Sequence, residues 1–326
     1  MGLTRHFCTY LDKYYLVKGL ALYSSLRRHV GSFHLWILCF DNYSYQLFLR
    51  LSIPNLHPIP PSLLEREDTD LLIAKRNRTR IEYYFTCTPS WMLYILDNFH
   101  NVDLITYLDA DLFFYSDPEP IFEELGMESI LIVEHRFPRH LAHREKFGKY
   151  NVGLISIRNS EEGVKCLEWW RERCIEWCHD RPEDGKFADQ KYLDEWPTRF
   201  KDLVVLQHKG AGLAPWNWMN YNIEVINDQV LVDGQPLIFY HFHRLMPLNR
   251  FLCDAGVAPF PLKLRRHIYA PYMRELLLTE SWLKASTPAA TDWFYGSLRY
   301  AHYPPRALLG KLIRGHLLFT LNTFVL

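Results

Sequence analysis

The chain is 326 residues long, enough for one large domain or two modest ones, and its 48% hydrophobic content supplies a substantial core and excludes intrinsic disorder. Its 37 basic and 37 acidic side chains cancel, so the basic excess that bulk nucleic-acid binding needs is missing. Ten Trp, 20 Tyr and 20 Phe suit either a cleft for flat or ring-shaped ligands or a rigid core.

Residues 5–10 form a short apolar, β-prone run. Residues 14–29 read as a helix, with Leu16, Leu20, Leu22 and Leu26 apolar and a basic last turn at Arg27, Arg28 and His29. Residues 33–40 (FHLWILCF) are nearly all apolar, as in a strand covered on both faces. Strand, helix and buried strand make a βαβ unit and therefore a parallel sheet. Pro54, Pro58, Pro60 and Pro61 predict a loop, followed by a charged stretch over 65–80 and an aromatic helix over 83–98. Buried strands are expected at 104–108, 129–133 and 152–157, with further strands near Val204 and Phe239. Residues 161–179 predict an amphipathic helix with Val164, Leu167, Trp170, Cys174 and Cys178 near one face.

From about Asp254 the chain becomes Pro-rich and basic, and a C-terminal helical extension is expected over 254–326. There Leu308, Leu309, Leu312, Ile313 and Leu317 share a stripe, with Arg306, Lys311 and Arg314 off it. That pattern suits a helix lying in a membrane interface, and equally one docked on the protein's own core or on a second subunit. No run of 18 apolar residues exists, the N-terminus lacks a long apolar stretch, and the seven cysteines form no regular framework. These features together predict a cytoplasmic protein, with peripheral contact at the inner face of the membrane through the tail.

The chemistry concentrates where the strand over 104–108 ends. Asp109 and Asp111 flank Ala110 at its carboxyl end, the side on which open α/β sheets bind ligands. Two carboxylates so close repel unless a cation or proton lies between them. One reading is a divalent ion held by both and carrying a diphosphate, with oxygen ligands favouring Mg²⁺ or Mn²⁺. A turn acid followed by a helix N-cap gives the same spacing.

The string Tyr107-Leu-Asp-Ala-Asp-Leu-Phe-Phe-Tyr-Ser-Asp-Pro resembles the DxD segment of GT-A glycosyltransferases, which use nucleotide sugars. Thr9-Tyr-Leu-Asp-Lys-Tyr-Tyr with Lys18-Gly-Leu-Ala-Leu-Tyr-Ser-Ser-Leu is similar to the first strand and helix of the glycogenin-like, family 8 type enzymes and related bacterial polysaccharide glycosyltransferases. Asn151-Val-Gly, Phe187-Ala-Asp-Gln and Tyr240-His-Phe resemble further segments of those enzymes, in the same order, over about residues 5 to 245.

The resemblance implies a GT-A catalytic domain over residues 1–253, a mostly parallel α/β sheet flanked by helices. It implies transfer of a hexose from a nucleotide diphosphate sugar, UDP-linked, to a glycan or lipid-linked acceptor, with retention. Thr9, Tyr10, Asp12 and Tyr14 would line the base pocket, with Tyr15 an equal candidate because two extra residues precede Lys18. Asp109, Asp111 and His241 would hold Mn²⁺ or Mg²⁺, Ala110 lying between the acids. His243, two residues on in an extended strand, would point the same way as His241, so either could be the ligand. Asn151 and Gly153 would let the backbone approach the donor, and Asp189 and Gln190 would stand beside its sugar as the catalytic residues. If the reaction inverts instead, Asp189 is the candidate base.

Three further features allow two readings each. Trp216 and Trp218, in a glycine-flanked loop, offer faces on which sugars stack or simply pack. Lys75, Arg76, Arg78 and Arg80 suit an anionic ligand or a solvated face. Cys174, Cys178 and His179 have zinc-like spacing, although helix amphipathicity already explains the cysteines as core. A nucleotidyltransferase is disfavoured because residues 9–18 contain no glycine, and a non-catalytic sugar-binding protein on the same fold is the remaining rival.

Overall fold

The computed structural model of the chain describes residues 3–249, 252–255, 261–287, 317–321 and 324–325. Two compact units alternate along the sequence: Met1–Leu11, Val30–Asp109 and Asp117–His208 form one, and Asp12–His29, Ala110–Ser116 and Lys209–Leu326 form the other.

The first unit is built on a seven-stranded sheet. Its strands are β1 (Arg5–Leu11), β2 (Phe33–Cys39), β3 (Leu56–Ile59), β4 (Leu104–Leu108), β5 (Ile130–Glu134), β6 (Tyr150–Arg158) and β7 (Leu203–Val205). They lie in the order β3-β2-β1-β4-β6-β5-β7. The pairs β1/β2, β2/β3, β1/β4 and β5/β7 are parallel, as the βαβ reading expects. β6 runs antiparallel to both of its neighbours. Between β5 and β6 the regular structure is the single 3-10 stretch Arg139–Phe147, not the packed helix of a parallel crossover. The proline segment, expected as a loop, contributes β3. Pro58 fits there because β3 is an edge strand with one partner, where a missing N–H costs little.

Two helices cover this sheet. The first, Arg80–Asn98, starts three residues before the expected onset because Thr79 and Glu82 form a reciprocal cap, the Thr79 N–H donating to Glu82 Oε2 at 2.7 Å. The second, Glu161–Glu176, follows its N-cap Ser160. Trp91, Ile95, Trp170 and Cys174 from these helices share one buried core with Cys8, Trp36, Tyr107 and Ile155 of the sheet. Cys174 and Cys178 are free and buried, and His179 Nδ1 lies 3.2 Å from Glu82 Oε1, so the cysteines are core residues and the zinc reading falls.

In the second unit Asp12 shapes the entry to helix Leu16–His29. Its Oδ1 accepts the Tyr14 N–H at 3.0 Å and its carbonyl accepts the Tyr15 N–H at 2.9 Å, so the helix begins two residues later than periodicity predicts. A three-stranded sheet places Phe239–His241 between Leu112–Phe114, antiparallel, and Ala211–Leu213, parallel. Helix Ala270–Ser286 supplies the expected C-terminal helix, with Glu275 paired to Arg28 at 2.8 Å. Of the tail stripe, residues 308–313 lie outside the described residues. Leu317 opens the strand Leu317–Leu321, which pairs with Leu252–Asp254, so the helix expected there gives way to sheet. No helix among the described residues is long and apolar enough to cross a membrane.

The seating of helix Glu161–Glu176 depends on a missing side chain. A Cβ on Gly163 would stand 2.2 Å from the Arg158 carbonyl oxygen and 3.1 Å from Ile157 Cγ2. Gly163→Ala therefore lowers stability by about 1–3 kcal/mol in urea unfolding, the usual cost of overpacking. An unchanged midpoint would show that the helix does not sit this close to β6.

Candidate metal centre

Asp109 follows the last residue of β4, and backbone and side-chain bonds fix it there. Its N–H donates to the Gly153 carbonyl at 2.9 Å, and the Tyr107 hydroxyl donates to its Oδ1 at 2.9 Å. Gly153 is held in turn by its N–H to Asn151 Oδ1 at 2.7 Å, and Asn151 Nδ2 reaches His135 Nε2 at 3.0 Å. Because the amide oxygen of Asn151 already accepts from Gly153, its NH₂ is the donor to His135, and His135 Nδ1 is left to donate to the Lys149 carbonyl at 3.2 Å.

Asp189 belongs to the same unit and is buried, accepting a bond from the Thr88 hydroxyl at 2.9 Å while its carbonyl accepts the Trp170 indole N–H at 2.8 Å. Burial pushes its carboxyl up to about 7; the Thr88 bond opposes that rise and the negative charge of Asp109 adds to it. Tyr10 is half-buried with its ring 5.5 Å from that of Tyr107, and burial first, then Asp189 and Asp109, hold its phenol well above the ordinary range. Thr9 is buried within β1, its carbonyl accepting the Trp91 indole N–H at 3.1 Å. Gln190 is tied to the Phe147 carbonyl at 2.9 Å and so braces the turn before β6.

The second unit assembles around Asp111, whose backbone carbonyl accepts the Phe242 N–H at 3.0 Å. Its carboxylate is buried, with Oδ1 3.2 Å from His241 Nε2 and Oδ2 3.8 Å from Lys18 Nζ. Burial alone would raise its pKa, but the His241 imidazole, then the Lys18 ammonium, hold it well below the usual carboxylate range. His243 lies just beyond the strand Phe239–His241, with its ring centre 5.7 Å from that of His241. Trp216 is buried with its ring edge-on to both histidines, at 5.4 Å from His241 and 5.5 Å from His243. Asn217 secures that loop, Oδ1 accepting the Ala214 N–H and Nδ2 donating to the Gly212 carbonyl, each at 2.9 Å. Trp218 is half-buried and Tyr14 likewise, while Tyr15 is exposed.

Across the dipeptide step from Asp109 to Asp111, with Ala110 buried between, one ligand atom each from Asp109, Asp111 and His241 falls within 4.8 Å of the other two. It is the single such group of three metal-ligating side chains among the described residues. Two hard carboxylate oxygens with one imidazole nitrogen suit Mn²⁺ better than Ca²⁺ and admit Mg²⁺. Sequence reasoning placed these three residues but did not assign Lys18, Thr88, Tyr107 or His135. Lys18 was visible only as part of the Lys18-Gly19 pair, and the rest carry no spacing signal. In the cationic run, Lys75 pairs with Glu65 at 2.6 Å and Arg78 donates to the Ile175 carbonyl at 3.1 Å, so both hold local structure.

The raised Asp189 carboxyl has a signed consequence. The unfolded residue loses its proton near the ordinary 3.8, whereas the folded one keeps it to about 7. Between those values the folded state holds the extra proton, so this residue's contribution to stability falls as pH rises and then levels off. Asp189→Asn keeps a partner for Thr88 and removes the titration. The stability of the variant relative to the native chain, measured in EDTA, therefore climbs from pH 4 to pH 7 and is flat above. A difference that is level throughout would contradict the buried, proton-holding carboxyl.

No family model matches the chain. The Bacillus subtilis (strain 168) protein YfnD, itself uncharacterised, is 35% identical over 242 residues, covering 73% of this chain and 77% of YfnD. YfnF of the same organism, also uncharacterised, is 35% identical over 257 residues, covering 76% of this chain and 84% of YfnF. Among solved structures, the galactosyltransferase LgtC in complex with donor and acceptor sugar analogues superimposes with a TM-score of 0.50 at 14% identity, over 76% of this chain and 89% of LgtC. At that identity the likeness is one of fold, and it bears out the expected architecture. The protein belongs to the family of YfnD and YfnF and carries the GT-A fold of the nucleotide-sugar glycosyltransferases.

Proposed function

We propose that this protein is a metal-dependent glycosyltransferase. It moves a hexose from a nucleotide diphosphate sugar, UDP-linked, to a hydroxyl of a glycan or lipid-linked acceptor. The observation that carries the reading is the convergence of Asp109, Asp111 and His241 to within 4.8 Å at the carboxyl end of a central strand. Asp109, Asp111 and His241 would hold Mn²⁺ there, and the ion would supply Lewis-acid chemistry that offsets the charge of the diphosphate as leaving group.

The chain's own residues bind and orient. Thr9, Tyr10, Asp12 and Tyr14 are assigned to the nucleotide, the aromatic rings supplying stacking faces. Asn151 and Gly153 set the backbone on which Asp109 is anchored. Asp189 and Gln190 are assigned to the donor's sugar, and buried Trp216 stiffens the imidazole of His241. In the reaction the C1–O bond to the diphosphate breaks and a C1–O bond to the acceptor oxygen forms on the same face. The acceptor's hydroxyl proton passes to the departing diphosphate, so retention needs no separate base.

A thermal-shift panel with UDP, GDP and dTDP sugars and Mn²⁺ reads the donor, since a ligand that binds only the folded state raises the midpoint. The UDP-sugar with Mn²⁺ raises it, and EDTA abolishes the rise. Asp109→Asn lowers kcat/KM for transfer or donor hydrolysis by at least about a hundredfold, ~2.7 kcal/mol. Turnover that ignores EDTA and survives Asp109→Asn would overturn the metal-dependent reading.

A further inference from the structure

Lys18 has no part in the reaction just described, yet it is a buried cation in contact with one of the assigned metal ligands. It sits in the first turn of helix Leu16–His29, where no acidic residue balances it and the helix dipole disfavours a positive charge. Its Nζ lies 3.8 Å from Asp111 Oδ2 and 4.4 Å from the centre of the Tyr15 ring. Asp111 turns its other oxygen to His241 at 3.2 Å, so the carboxylate divides its two oxygens between an ammonium and an imidazole. Burial and helix position both penalise a lysine here, and the Tyr15 ring and the Asp111 carboxylate offset that penalty.

We propose that Lys18 is a built-in counter-cation of the metal centre. It neutralises Asp111 when no divalent ion is bound, weakens the hold on that ion, and leaves the loaded centre with a net positive charge that draws in the diphosphate. The inference rests on the metal reading given above and adds a charge argument to it. Asp109 and Asp111 carry two negative charges, which a divalent ion cancels. Without Lys18 the loaded centre is neutral, and with Lys18 one positive charge is left to meet a dianionic ligand. The same ammonium therefore acts with opposite sign on two ligands. It repels the ion with which it shares Asp111 and attracts the diphosphate that follows, and each coupling is reciprocal.

The test compares the full chain with Lys18→Met, Lys18→Gln and Lys18→Arg. Mn²⁺ affinity is read by titration calorimetry or by the loss of free-ion paramagnetic signal, and UDP affinity is then read at saturating Mn²⁺. Removing the charge tightens Mn²⁺ binding by about tenfold and weakens UDP binding by about tenfold. Lys18→Arg keeps the charge and leaves both constants within about twofold of the native chain. Lys18→Gln, which retains polarity, carries the measurement if Lys18→Met does not fold. A merely structural lysine would lower both affinities together, and that result, like no change in either, overturns the inference. If Mn²⁺ binds the native chain, is lost in Asp111→Asn and is not tightened by Lys18→Met, this inference alone fails. A native chain that takes up no Mn²⁺ overturns the metal reading and this inference with it.

Discussion

A carboxylate taken out of water is the constraint around which the second unit is arranged. Asp111 is buried, and an unpaired buried carboxylate costs several kcal/mol. The cost is offset by Lys18, ninety-three positions earlier in the chain, and by His241, one hundred and thirty positions later. Neither partner is local, so the carboxylate is compensated only when Leu16–His29 and Phe239–His241 both come against it. The backbone follows the same demand: Leu112–Phe114 pairs with Phe239–His241, and the Asp111 carbonyl takes the Phe242 N–H. Trp216 then closes over the histidine, held by a loop that Asn217 ties to itself.

The other acid of the pair is secured by different means. Asp109 is fixed within the first unit by a hydrogen-bond relay that runs from the Lys149 carbonyl through His135, Asn151 and Gly153 to its own N–H. Tyr107 adds a bond to the carboxylate itself. Asp189 holds its proton chiefly because it is buried, and the negative charge of Asp109 adds to that. Two buried aspartates are thus driven in opposite directions, Asp111 down by a cation and an imidazole, Asp189 up by burial and a like charge.

Much of the fold was legible because its signals are local. β2, β4 and β6 announce themselves as apolar runs, and helix Glu161–Glu176 by its period of apolar residues. The errors arise where a local signal competes with a distant one. Pro58 reads as a loop residue in isolation, yet pairing with β2 on one side alone makes it an acceptable edge-strand residue. The direction of β6 is not encoded in its composition, because parallel and antiparallel buried strands look alike in sequence. His243 illustrates the same limit at the site. Alternation sets it beside His241, and their ring centres do lie 5.7 Å apart, but nothing in the local pattern says which imidazole stands nearer to Asp111.

The amino-acid sequence by itself determined the main strands and helices that frame the site, the strand-end acids and the imidazole expected to join them, since periodicity and short motifs act over a few residues. Tertiary structure alone decided that Lys18 is the counter-charge of Asp111, that His135 stands behind Asn151, and that Thr88 donates to Asp189. Each of those contacts is a matter of a few ångströms between residues sixteen to one hundred and one positions apart. The energy of a buried charge or hydrogen bond depends on what surrounds it in space, and that surrounding exists only once the chain has folded.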